Sequence, residues 1–185
     1  MSAIRMTVER GATLSICGTY RYRLSRQWNQ GLDVSGRGVW YDDIRWATFI
    51  MLNPSTADAE VDDPTIRRCV GFAQEFGCNG LLVANLYAYR ATNPRDLWSV
   101  DFAQRVGPDN DRHITSCATL ARETGGPVIA AWGANAEAKR VEQVLALPGV
   151  GGLSALGVTK GGQPRHPLYL RGDSMPLPWP SGGAS

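Results

Sequence analysis

The chain is poor in the ligands that build metal centres: 185 residues contain two histidines and four cysteines, and no two cysteines form a C-x-x-C pair. Zinc and iron–sulfur sites need such side chains clustered at close spacing, so a bound metal has little support and none is expected. Cys17, Cys69, Cys78 and Cys117 read instead as reduced thiols, mostly packing residues. No apolar run approaches the roughly 20 residues of a membrane-spanning helix. The first ten residues, MSAIRMTVER, lack the continuous apolar stretch of a secretion signal. A cytoplasmic protein without a membrane partner is the expectation. A phosphate-loop lysine motif, a G-x-G-x-x-G turn after a strand and a G-x-S-x-G elbow are all absent. ATPase, dinucleotide-dependent and serine-hydrolase chemistries therefore lose their usual signatures, and no cofactor is expected. The net charge of +2 is too small to demand nucleic acid, although it permits an anionic partner.

What is present is globular: 43% of residues are hydrophobic and 19% are charged, in a length typical of one domain. We expect a single α/β domain over residues 1–171, followed by a peripheral tail over 172–185 rich in Pro, Gly and Ser. Thr13–Ile16 and Tyr20–Leu24 flank Cys17-Gly-Thr as an N-terminal β-hairpin. Residues 29–38, rich in Gly, Asn, Ser and Asp, read as a loop before the first central strand. Four apolar runs have the character of strands buried on both faces: Ala47–Leu52, Gly80–Leu86, Val128–Trp132 and Gly152–Leu156. Between them lie helical patterns. One begins at Asp63-Pro64, a cap residue followed by Pro at the first helical position, and carries Ile66, Val70, Ala73 and Phe76 at helical spacing. Two further segments begin at Pro94 and Pro108, and a last helix spans Ala134–Leu147. This alternation predicts a three-layer sandwich around a central, mainly parallel four-stranded sheet with right-handed crossovers, plus the hairpin.

Polar residues gather where these strands end, the edge at which open α/β sheets bind ligands. After the first strand comes Asn53-Pro54-Ser55-Thr56, an amide, two hydroxyls and exposed backbone donors able to hold a water or a polar ligand, or to satisfy only their own turn. Asp58, Glu60, Asp62 and Asp63 follow. Asp58 or Asp62 can serve as a base or bind magnesium through waters, whereas Asp63 fits a helix cap. Asn85 ends the second strand, with Tyr87 able to stack on a base and Arg90 to contact phosphate. Gly133 follows the third strand. After the fourth, Arg165 and His166 stand between Pro164 and Pro167, and this rigid frame suits a histidine that donates to an oxyanion or a leaving base.

Arg21-Tyr-Arg-Leu, Met51-Leu-Asn-Pro-Ser-Thr-Ala-Asp, Asp62-Asp-Pro-Thr-Ile-Arg-Arg-Cys, Asn85-Leu-Tyr-Ala-Tyr-Arg-Ala-Thr, Ala131-Trp-Gly and Pro164-Arg-His-Pro-Leu-Tyr-Leu together resemble the bacterial and phage family called domain of unknown function 1643, from about Tyr20 to Leu170. More distantly, Asn53-Pro, Asn85-Leu, Trp132-Gly and His166-Pro follow the order of the motifs of uracil-DNA glycosylases. That resemblance implies a glycosylase-like fold, with Asn53 positioning the attacking water, Asn85 reading a base edge and His166 stabilising the departing base anion. Two departures stand out: Met51 occupies the place of the glycosylase Gly, and Leu168 that of the Ser in H-P-S. The resulting expectation is an enzyme of nucleic-acid metabolism that hydrolyses an N-glycosidic bond in DNA or a related nucleotide. Its catalytic candidates are Asn53, His166 and Asp58, and its binding candidates are Pro54, Ser55, Thr56, Asp62, Asn85, Tyr87, Arg90, Gly133 and Arg165. The alternatives are a metal-dependent nucleotide-processing enzyme and a non-catalytic module that binds nucleic acid or nucleotide through Arg21, Arg23, Arg90 and Arg165.

Overall fold

The computed structural model of the chain describes residues 8–28, 44–54, 61–91 and 94–179. A hairpin of β1 (Val8–Leu14) and β2 (Arg21–Trp28) is followed by β3 (Trp46–Met51), α1 (Pro64–Glu75) and β4 (Gly80–Asn85). Then come α2 (Pro94–Trp98), α3 (Phe102–Val106), α4 (Asn110–Glu123), β5 (Val128–Ala130), α5 (Ala138–Leu145), β6 (Leu153–Ala155), a 3-10 turn at Pro167–Tyr169 and β7 (Leu177–Trp179).

All seven strands join one sheet in the order β1-β2-β4-β3-β5-β6-β7. The four-stranded sheet expected from sequence is therefore too small. Its four strands are present and mutually parallel at the centre, but antiparallel strands extend them on both sides. The hairpin is no separate appendage, because β2 pairs with β4 over Leu24–Gln27 and makes the sheet continuous. On the far side β7 pairs antiparallel with β6, so part of the Pro-rich tail forms an edge strand. Pro178 is tolerated there because an edge strand has one side free of ladder bonds.

Residues of alternating parity divide the core. Ala47, Phe49, Met51, Leu81, Val83, Ile129 and Ala131 face α1, which buries Ile66, Cys69, Phe72 and Ala73 against them. Ile50, Leu82, Ala84, Val128, Ala130 and Trp132 face the other way, onto Ile114, Cys117, Ala118 and Ala121 of α4 and Val141 and Val144 of α5. Each fully buried large side chain in these layers contributes about 1.5–3 kcal/mol relative to exposure. Thr48, the buried polar residue of β3, donates its hydroxyl to the Cys117 carbonyl at 2.8 Å and leaves no orphan group. Asp63 caps α1 by accepting from the Ile66 N–H at 2.8 Å, with Pro64 at the first helical position.

The winding direction reverses at the centre of the sheet. From β3 the chain crosses to β4 on one side, and from β5 to β6 on the other. With crossovers of constant hand, that reversal places α1 on one face and α4 and α5 on the opposite face. It also leaves a crevice between the carboxyl ends of β3 and β5, the place where the crossovers diverge to opposite sides. Among the described residues, no helix is long and apolar enough to cross a membrane.

Candidate functional site

A cavity of about 500 Å³ occupies this crevice. Three segments wall it: Met51-Leu52-Asn53 after β3, Trp132-Gly133-Ala134-Asn135 after β5, and the loop after β6 through Thr159, Arg165, His166 and Tyr169. Ala91 completes it from the segment beyond β4. Each segment is held by its own backbone chemistry. The Ala131 N–H bonds the Ile50 carbonyl at 2.8 Å, which extends the β3–β5 ladder to the rim. Gly133 has φ +77°, a left-handed conformation that side chains other than Gly disfavour, and it turns the chain out of the sheet. A Cβ there would stand 3.9 Å from that of His166, so the β5 end and the final loop are immediate neighbours. The final loop is pinned by Thr159 N–H to Gln163 O at 2.8 Å, by Arg165 N–H to Gly157 O at 2.8 Å, and by Arg68 of α1, which donates to Leu170 O.

Asn53 donates from Nδ2 to Pro54 O at 3.1 Å and to Ala91 O at 3.4 Å. These two bonds orient the amide, and Oδ1 accepts nothing from any described residue, so the cavity receives a fixed acceptor. His166 is fixed by the converse arrangement. Its Nδ1 accepts from the Leu168 N–H at 3.3 Å and caps the 3-10 turn. An Nδ1 that accepts assigns the ring proton to Nε2, which has no partner among the described residues. Burial lowers the His166 pKa below its ordinary value, and the nearby Asp63 carboxylate opposes that only in part. The imidazole is therefore neutral at neutral pH, with one N–H to offer. Tyr169 leans over it at 5.8 Å between ring centroids, itself 71% exposed.

Of the residues singled out from sequence, Asn53, Gly133, Arg165 and His166 line this cavity together. Pro54 is buried behind Asn53. Ser55, Thr56, Asp58 and the loop at 29–38 lie outside the described residues. Asn85 sits one strand away, paired in register with Met51, and is buried with its Nδ2 unpartnered. Tyr87 turns into the opposite core layer, where its hydroxyl donates to Glu137 at 2.8 Å; burial and that carboxylate push its pKa up. A ring so enclosed presents no face to a base. Asp62 is engaged by Arg26, fully buried, at 2.7 Å and by Arg10 at 3.6 Å. Arg90 reaches back to the hairpin turn, donating to Gly18 O at 3.2 Å. Arg21, offered as part of a cationic surface, is buried. The thiols of Cys69, Cys78 and Cys117 are free and buried, and Cys17 is free and exposed on the hairpin turn, where the Ser15 and Thr19 hydroxyls lower its pKa to about 7.

Thr159, Asn135 and Tyr169 line the cavity without having been identified from sequence. A signal existed for Tyr169, which follows His166 by three residues, the spacing of one 3-10 turn behind a proline. Thr159 and Asn135 stand in turns whose direction depends on the packing of distant strands. No curated protein and no solved structure matches the chain. A family model described as "Protein of unknown function (DUF1643)" matches residues 21–168, most of the sequence, and the chain belongs to that family.

Proposed function

We propose that the chain is an enzyme of nucleic-acid metabolism that hydrolyses an N-glycosidic bond in DNA or a related nucleotide, with a uracil-DNA glycosylase-like arrangement of its four parallel strands. One observation carries the reading. Asn53 and His166, distant in sequence, line one cavity at the strand edge, the first with an acceptor and the second with a donor that no described residue engages. Hydrolysis of a glycosidic C–N bond needs both. Asn53 Oδ1 accepts a hydrogen bond from water and aims its oxygen at the sugar C1′. As the C1′–N bond breaks, its electron pair passes to the base, and the His166 Nε2–H donates to the oxygen on which that charge settles. The water oxygen bonds to C1′, its surplus proton goes to solvent, and the departing base takes up a proton. A neutral imidazole suits this role, since its Nε2–H donates a hydrogen bond without bringing a positive charge into the site.

Base release is the test. Oligonucleotides and free nucleotides carrying uracil, hypoxanthine or mismatched thymine are incubated with the protein, with and without a chelator, and the free base is quantified. The reading requires base release that survives chelation. Absence of release from every substrate would refute it, and release that depends on magnesium would favour the metal-dependent alternative.

A further inference from the structure

We infer that the natural substrate is a free nucleoside 5′-monophosphate and that Arg165 holds its phosphate. This inference rests on the N-glycosidic reading above and names the substrate class for the same cavity. Its first support is polarity. Met51, Leu52, Ala91 and Trp132 give the cavity an apolar wall, whereas the final loop gives it donors, and among the described residues that line it there is no carboxylate. Thr159 Oγ1 accepts from the Gln163 N–H at 3.1 Å, which leaves its hydroxyl proton to donate. The Arg165 guanidinium is exposed on the lining and has no partner among the described residues. After the left-handed Gly133, the successive N–H groups of Gly133, Ala134 and Asn135 donate to no described residue, and consecutive free backbone donors of this kind form anion-binding concavities. Because Gly133 abuts His166, these donors stand beside the segment that carries Arg165, and all of them line the same cavity.

Size and charge then separate a nucleotide from a polynucleotide. A cavity of about 500 Å³ is in the range that encloses an entire small ligand, more than a base alone fills. A polynucleotide also draws its affinity from many phosphate contacts. Here few cations accompany Arg165: Arg68 donates to Leu170 O and lies over the Phe72 ring at 5.0 Å, Arg171 pairs with Asp173 at 3.1 Å, and Lys160, exposed on the same loop, adds a single further charge. One forked cation and a few backbone donors match one terminal phosphate.

Calorimetric titration of the full chain decides the matter, using deoxyuridine, its 5′-monophosphate, the corresponding inosine and thymidine pairs, and a 20-mer single-stranded oligonucleotide, each over a range of salt. We expect a monophosphate to bind at least about tenfold more tightly than its nucleoside, the scale of a charge-assisted contact. Its affinity should fall only weakly with salt, because a free monophosphate carries no condensed counterion atmosphere to release. Arg165→Ala should abolish the difference between nucleotide and nucleoside and leave the melting temperature unchanged, because the side chain is exposed and no described residue pairs with it. Equal affinity for nucleoside and nucleotide overturns the inference, as does tighter binding of the oligonucleotide with a steep dependence on salt. Either result leaves N-glycosidic hydrolysis standing if base is still released. Failure of nucleoside, nucleotide and oligonucleotide alike to bind overturns both.

Discussion

Replacing His166 by Asn and by Gln divides its two nitrogens between structure and chemistry. The Asn side chain ends near the position of Nδ1 and retains an acceptor for the Leu168 N–H, but nothing at the Nε2 position. The Gln side chain does the reverse, placing an amide N–H where Nε2 projects into the cavity. The cap is a single long bond of 3.3 Å in a partly exposed turn, so its loss costs no more than about 1 kcal/mol, the lower end of the range for helix caps. In a chain of this size that lowers the melting temperature by about 2–4 °C. Loss of a donor aimed at developing charge costs about a hundredfold or more in turnover. His166→Asn should therefore melt like the parent protein while losing about a hundredfold in single-turnover base release. His166→Gln should melt a few degrees lower and keep the larger share of its activity. Thermal melts and base-release kinetics on both variants check the division. An active His166→Asn, or a His166→Gln that is fully folded and inert, would refute the assignment of Nε2 as the functional nitrogen.

Asp62→Ala removes the 2.7 Å carboxylate from the buried Arg26 guanidinium, which keeps its bond to Ser25 O, so the loss is that of one charge-assisted hydrogen bond, about 1.5–3 kcal/mol; a fall of at least about 3 °C in melting temperature is expected, and a loss below that of Asp63→Ala would argue against a structural role. Burial depresses the pKa of both His113 and His166 in the folded chain, so between the folded and unfolded values the unfolded state binds more protons. Stability should accordingly be full above about pH 6.5 and fall as the pH drops through the folded values, with the slope reduced in a His113→Gln, His166→Asn double variant; a pH-denaturation series at constant salt measures it. Trp179 packs edge-on against Trp132 at 5.1 Å and donates from Nε1 to Gly162 O at 2.9 Å, so Trp179→Ala should cost about 3 kcal/mol or more by denaturant titration and loosen the cavity wall.

The parts of this molecule legible in sequence are those that depend on neighbours along the chain. The apolar runs of β3 and β4, the cap at Asp63 with Pro64, and the turn at Gly133 are each specified within a few residues, and together they locate the polar strand edge. The helix α3 went unread in the sequence although a local signal for it exists: the Asp101 carboxylate accepts from the Gln104 N–H at 2.8 Å, a cap followed at the third position by an amide residue. What composition concealed was long-range. Leu177-Pro-Trp179 reads as tail until the exposed edge of β6 is available to pair with it. Tyr87 and Asp62 carry the residue types of a binding site, but Glu137 and Arg26, 50 and 36 residues away, take up their polar atoms. Only the tertiary arrangement decides which polar side chains near a strand end remain uncommitted.

The most direct measurement of the central claim is single-turnover release of free base by the parent protein and by Asn53→Ala, with nucleoside monophosphates and oligonucleotides offered in parallel. Asn53 offers the cavity an acceptor for water and donates only two backbone-directed bonds of its own, so the variant should stay folded while its release rate falls by about a hundredfold, the scale of a lost catalytic contact. Base release that proceeds undiminished in Asn53→Ala, or no release by the parent protein from any substrate, would contradict the account.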